Sequence, residues 1–206
     1  MKKILIIIVC LAGMNIPNYA QYSKGKIALG GSFSISYEKT KTNTTSTSSN
    51  FEILPSAEYF ITNNFSVGMD IGYQSQMSEY PYAPSSNTLK TVNSSFIAQP
   101  YVKKYLSLGE HLSFFGKAEV DVSFGKVTTT VASDTQTEKT FEVAAGVSPG
   151  LSFLLSKRTL IEATFGTIGF STETDKPDSG TKTTITGLTF TVNPVAFGLG
   201  VKFFLN

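Results

Sequence analysis

Cysteine is all but missing from this chain: among 206 residues there is one, Cys10. It falls within an apolar stretch near the N-terminus that reads as an export signal, so the exported chain has no disulfide and must hold its fold without one. Ile7-Ile8-Val9 lacks the small residue that lipid attachment at Cys10 requires. Histidine is equally scarce, with His111 alone, and tryptophan is absent. No CxxC, HExxH or Gly-rich phosphate loop occurs, and the carboxylates show no metal-ligand spacing, so no cofactor or metal is expected. Long apolar runs are missing too. The one at 4–13 is far shorter than the roughly 20 residues a membrane-spanning helix needs.

That run has the layout of a secretory signal peptide. Lys2 and Lys3 precede it, and a more polar stretch ending in Asn18-Tyr19-Ala20 follows. Residues 1–20 are therefore expected to be removed, leaving a single domain over 21–206 that begins at Gln21. Losing two lysines leaves 15 basic residues against 15 acidic ones. Such a balance offers no basic footprint for nucleic acid.

Against these absences stands a repeat. Phe51, Phe96, Phe141 and Phe190 are spaced 45, 45 and 49 residues apart, and Pro55, Pro100 and Pro194 each follow one of them by four. Each copy opens a stretch of alternating apolar and polar residues, turns tightly, returns through a second such stretch and enters a Ser/Thr-rich segment. With one alternating strand at 26–38 before the first copy, this predicts an all-β fold. The expectation is an eight-stranded antiparallel up-and-down transmembrane β-barrel with short periplasmic turns and long extracellular loops.

The expected short turns are Thr62-Asn63-Asn64, Gly109-Glu110 and Ser156-Lys157-Arg158, and the expected long loops are 39–50, 75–92, 126–140 and 171–184. Tyr80, Pro81, Tyr82 and Pro84 should block a strand in the second loop and make it the best candidate contact surface. Changes of alternation predict bulges at Gly166-Thr167 and Asn193-Pro194. Tyr59, Tyr101 and Tyr105 toward the short turns, and Tyr37, Tyr73 and Tyr80 toward the loops, would form two aromatic belts. The sequons at Asn43 and Asn93 read as chance in Thr/Ser-rich loops.

Strand alternation also sorts the charges. Phe65, Val67, Met69, Ile71 and Tyr73 alternate with Ser66, Gly68, Asp70, Gly72 and Gln74; in the fifth strand Lys117, Glu119, Asp121 and Ser123 oppose an apolar face. Charges on every second residue are costly against lipid but ordinary inside a barrel. Glu58, Asp70, Lys103, Lys117, Glu119, Asp121, Glu142, Glu162 and Lys202 are therefore expected in an internal ion-pair network. Its plain role is a structural plug, with a proton or ion path as the sharper alternative. Eight strands leave a lumen only wide enough for side chains.

The C-terminal Gly200-Val201-Lys202-Phe203-Phe204-Leu205 places alternating large apolar residues after a glycine. With the strand pattern, it resembles the small eight-stranded outer-membrane β-barrel family, the OmpA/OmpX-like barrels, over essentially the whole exported length. The resemblance implies an outer-membrane location, lipid around the barrel and delivery to the barrel-assembly machinery through the last strand. Some barrels of similar outline are lipid A acylases or deacylases, the latter using Ser, His and an acid near the outer leaflet. Here the sole histidine falls at a periplasmic turn, so a non-enzymatic structural or surface-interaction role is expected. A narrow channel or small-solute porin, an adhesin-like binder acting through 75–92, and a secreted β-sandwich binding module remain as alternatives.

Overall fold

The computed structural model describes residues 22–41, 45–82, 87–132, 134–177, 183–191 and 198–205. The expected signal segment with Cys10, the sequon residue Asn43, Pro84 and the expected bulge at Asn193-Pro194 lie outside them. Ten antiparallel strands form one sheet: β1 (Ile27–Lys41), β2 (Thr45–Thr62), β3 (Phe65–Tyr82), β4 (Asn87–Ser107), β5 (Leu112–Val131), β6 (Asp134–Ser156), β7 (Thr159–Thr164), β8 (Thr167–Pro177), β9 (Thr183–Thr191) and β10 (Gly198–Leu205). Neighbours pair in order from β1 to β6. The first and last strands then meet, with Ile27 opposite Leu205 and Ser32 opposite Gly200, and the sheet closes into a barrel.

Ten strands replace the expected eight because, among the described residues, two pairs of strands share one crossing each. β7 and β8 lie end to end along β6, while β10 and β9 lie end to end along β7 and β8. The ten thus occupy eight positions around the ring. The break after Thr164 falls at Phe165-Gly166, where Gly166 takes φ +86°, a conformation that favours glycine and turns the strand out of its ladder.

The expected long loops are a second correction, since most of their residues are in strands. β1 and β2 stay paired to Lys41 opposite Thr45, β3 and β4 to Tyr82 opposite Asn87, and β5 and β6 to Val131 opposite Asp134. Lack of apolar residues removes the reason to pack a core, but it does not remove hydrogen bonding, and Thr-rich segments pair well as hairpins. Pro81 does not block β3. It pairs opposite Thr88, one residue from the strand's end, where a missing N–H interrupts little of the ladder. The short turns fall as expected, and Asn64 adopts φ +63° at the first.

Pro55 and Pro100 leave register intact. The β2–β3 ladder passes from Ile53 opposite Tyr73 to Ser56 opposite Asp70, and the β4–β5 ladder from Ala98 opposite Val122 to Tyr101 opposite Glu119. Two-residue periodicity therefore carries through both prolines.

The result is a fold with its polarity reversed relative to a water-soluble protein. Large apolar side chains such as Ile35, Ile71, Phe96 and Phe170 are exposed, whereas Glu58, Lys103, Glu162 and Lys202 are buried. Phe51, Phe96 and Phe141 begin corresponding outward stretches of β2, β4 and β6, which gives the sequence repeat its structural meaning. Phe96, Phe124 and Phe141 are direct cross-strand neighbours, and Tyr73–Phe96 and Phe124–Phe141 ring centroids lie 5.4 and 5.0 Å apart. They form an aromatic collar. Tyr59, Tyr37 and Tyr80 are exposed, but Tyr101 and Tyr105 are buried, and this corrects their assignment to an interfacial belt.

Inward-facing glycines make room for the bulky lumen side chains. A Cβ at Gly150 would run into the Phe115 ring and stand 2.6 Å from the Ala163 carbonyl oxygen. Gly150→Val should therefore lower unfolding free energy in detergent by about 1–3 kcal/mol, measured by urea titration, whereas Gly109→Ala, with open space around it, should have little effect.

Candidate functional site

At the short-turn end, Tyr22, Ala28, Phe60, Tyr105, Phe115, Leu160 and Phe204 form a buried cluster. The chain before β1 enters this end of the barrel. Tyr22 stacks on Tyr105 with centroids 4.2 Å apart, and its hydroxyl is 2.7 Å from Ser152 Oγ. Backbone bonds fix the entry: Asn64 donates to the Tyr22 carbonyl at 3.0 Å and Gly25 donates to the Phe60 carbonyl at 2.8 Å. Tyr22 thus touches side chains from β2, β4, β6 and β10 together.

Directly inward of this floor, four charged side chains from four strands meet. Glu58 of β2 pairs with Lys103 of β4 at 3.7 Å and closely with Lys202 of β10; Glu162 of β7 lies 2.6 Å from Lys103 and 3.3 Å from Lys202. Two acids and two bases balance within one buried volume. Tyr105 donates from its hydroxyl toward both carboxylates, at 2.8 Å to Glu58 and 2.7 Å to Glu162. Ser66 donates to Glu58, and Lys202 donates to the Tyr101 hydroxyl at 2.9 Å. Lys103 also stands 4.8 Å from the Phe115 ring centroid. Such complete ligation is what allows charges into a low-dielectric interior.

A second tier lies nearer the hairpins. Lys117 reaches Asp70 at 3.0 Å, Glu119 at 2.6 Å and Gln99 Oε1 at 2.9 Å, while Gln99 Nε2 donates to Asp121. Ser148 donates to Glu119 at 3.0 Å. Between the tiers is a cavity of about 100 Å³ bounded by Ser56, Asp70, Lys103, Lys117 and Lys202. Beyond the second tier opens a cavity of about 330 Å³, lined among others by Glu52, Gln74, Asn93, Asp121, Glu142 and Glu173.

The nine charged residues expected inside are therefore divided three ways. Glu58, Lys103, Glu162 and Lys202 form one cluster, and Asp70, Lys117 and Glu119 another to which Asp121 is joined through Gln99. Glu142 stands apart on the outer cavity and has no ion pair among the described residues. Asn93 lines that cavity from β4 rather than lying in a loop. His111 is exposed at the β4–β5 turn, where its carbonyl accepts from Leu154 N–H at 2.8 Å. Among the described residues no group of three or more His, Cys, Asp and Glu is arranged to hold a metal.

Closed strand pairing, an apolar exterior and a charged interior describe a membrane barrel, and the family comparison agrees. The family model described as "Outer membrane protein beta-barrel domain" matches residues 6–203. The chain belongs to that family. Ail, the attachment invasion locus protein of Yersinia pestis, is a structural neighbour at 15% identity and TM-score 0.39, with 88% of this chain and 99% of that one covered. Neisserial surface protein A is another at 14% identity and TM-score 0.40, with 86% and 95% covered. No curated protein matches the chain.

Sequence alternation does not reveal Tyr22, which precedes the first strand, but it does contain a signal for Tyr101 and Tyr105. Both share parity with Lys103 along β4, so an inward lysine requires inward tyrosines. Lys202→Met, which leaves two buried carboxylates with one base, should lower unfolding free energy by about 3–5 kcal/mol in urea titration, while Lys39→Met at the exposed end of β1 should change it by less than about 0.5 kcal/mol. Adding Glu58→Gln to Lys202→Met should recover part of the loss.

Proposed function

We propose that this outer-membrane barrel is non-enzymatic, has a lumen filled by side chains, and acts as a structural or surface-interaction protein through its paired hairpins. One observation carries the reading: the Glu58, Lys103, Glu162 and Lys202 cluster joins β2, β4, β7 and β10 across the interior, immediately above the Tyr22 floor. Moving a hydrated ion past it requires separating buried charges whose mutual pairing offsets desolvation penalties of several kcal/mol each. The site is better suited to bracing the barrel than to transport.

The position of the one histidine fits the non-enzymatic part. His111, the chain's only histidine, lies at the short-turn end, away from the hairpins. The paired stretches 75–82 and 87–92, with Tyr80 exposed, offer the most distinctive surface for a partner.

A narrow channel is the second reading, favoured by the outer cavity of about 330 Å³ and the smaller one between the charged tiers. Planar-bilayer recordings separate the two. The plugged reading expects no discrete conductance steps from purified protein; reproducible unitary steps, absent from a mock preparation, would establish the channel instead.

A further inference from the structure

Three lysines form a row on the outside of the barrel wall. Lys126 of β5 is directly opposite Lys139 of β6, and Lys139 is directly opposite Lys176 of β8. All three are exposed, and none makes a side-chain ion pair or side-chain hydrogen bond among the described residues. Such an arrangement is unfavourable by itself, because direct cross-strand partners hold like charges about 5 Å apart at Cβ.

The row occupies a particular level of the wall. Two residues inward along the same strands are Phe124 and Phe141, cross-strand partners in the aromatic collar, with Thr174 beside them. Below these lie Val122, Val143 and Thr172, then Val120, Ala145 and Phe170, the surface facing the acyl chains. One outward step of two strand residues, roughly 6–7 Å, carries the lysines from the collar to headgroup level. Phe124, Phe141, Lys139, Thr174 and Lys176 border a surface groove of about 650 Å³.

Toward β4 the row ends in this register, and Lys39, Lys41 and Lys90 stand further out along β1 and β4. Following the same register around the wall leads from Lys126 to Ser94, then Ser75, then Phe51. On the lysine-bearing strands Glu142 and Glu173 instead line the lumen. The wall thus presents a cationic row directly above an apolar face, complementary to a lipid with anionic headgroup and several chains.

We propose that Lys126, Lys139 and Lys176 bind the phosphate groups of a multiply acylated outer-leaflet lipid whose chains lie along the β5, β6 and β8 wall. Lysine suits this role as a flexible point charge that follows a headgroup without fixed bidentate geometry. The phosphates relieve repulsion along the row, and the collar sets the depth of the headgroup. The proposal rests on membrane placement with the hairpins outward, but does not require a plugged lumen.

The test titrates bis-phosphorylated lipid A into phosphatidylcholine nanodiscs holding the full exported chain, with bound lipid counted by native mass spectrometry. K126Q/K139Q/K176Q, shown to be folded by its β-sheet circular dichroism, should bind roughly tenfold or more weakly, because each lysine near the surface adds to attraction for an anionic lipid. K39Q/K41Q/K157Q removes equal charge elsewhere and should bind as wild type does. Phosphate-free lipid A should bind wild type at least about tenfold more weakly, and millimolar inorganic phosphate should not displace the phosphorylated lipid. Wild-type affinity in the folded row variant, equal loss in the control variant, equal binding of phosphate-free lipid, or displacement by inorganic phosphate would each overturn the proposal. A row variant that loses β-sheet ellipticity is replaced by the three single substitutions under the same criteria.

Discussion

The structure depends on one constraint: inside a bilayer no water is available to complete the hydrogen bonds of a strand edge. Closure through β1 and β10 meets that demand where a single open sheet could not. Once the sheet closes, strand periodicity has only two destinations. One set of side chains faces lipid and the other faces the lumen. The apolar exterior and charged interior are two consequences of that geometry.

The lumen then faces a second demand, since charges removed from water must find one another. They do so with partners from distant parts of the chain: Glu58 and Lys202 are 144 residues apart in sequence, and Lys103 and Glu162 are 59 apart. Lys202 is informative because it lies on the closing strand and reaches both Glu58 and Glu162. The same buried cluster therefore ties the last strand to β2 and β7. Tyr22 adds a further tie by contacting β2, β4, β6 and β10 at the barrel's end.

Much of this was legible from alternation alone, and the failures have physical causes. The facing of Asp70, Lys117 and Glu119 follows from unbroken two-residue periodicity. At Lys103 the proline at position 100 obscures the count, although strand register continues across it. Tyr101 and Tyr105 were misplaced by chemical type, because tyrosine commonly marks an interface, whereas parity with Lys103 directs both inward. The Ser/Thr-rich segments misled in another way: polarity indicates contact with water, but water does not prevent a hairpin from extending its ladder. Tyr22 had no periodic neighbour to give it a face. The break at Phe165-Gly166 showed as a phase change, while its division of one crossing into β7 and β8 depends on backbone geometry that alternation does not encode.

Closure of the ring is tested most directly by comparing the gel mobility of the outer-membrane fraction before and after boiling. A closed barrel resists detergent, runs as a compact species and shifts to the mobility of an extended chain after heating. That shift is the predicted result. One unchanged mobility, with the protein recovered in the soluble periplasmic fraction, would contradict the closed membrane barrel.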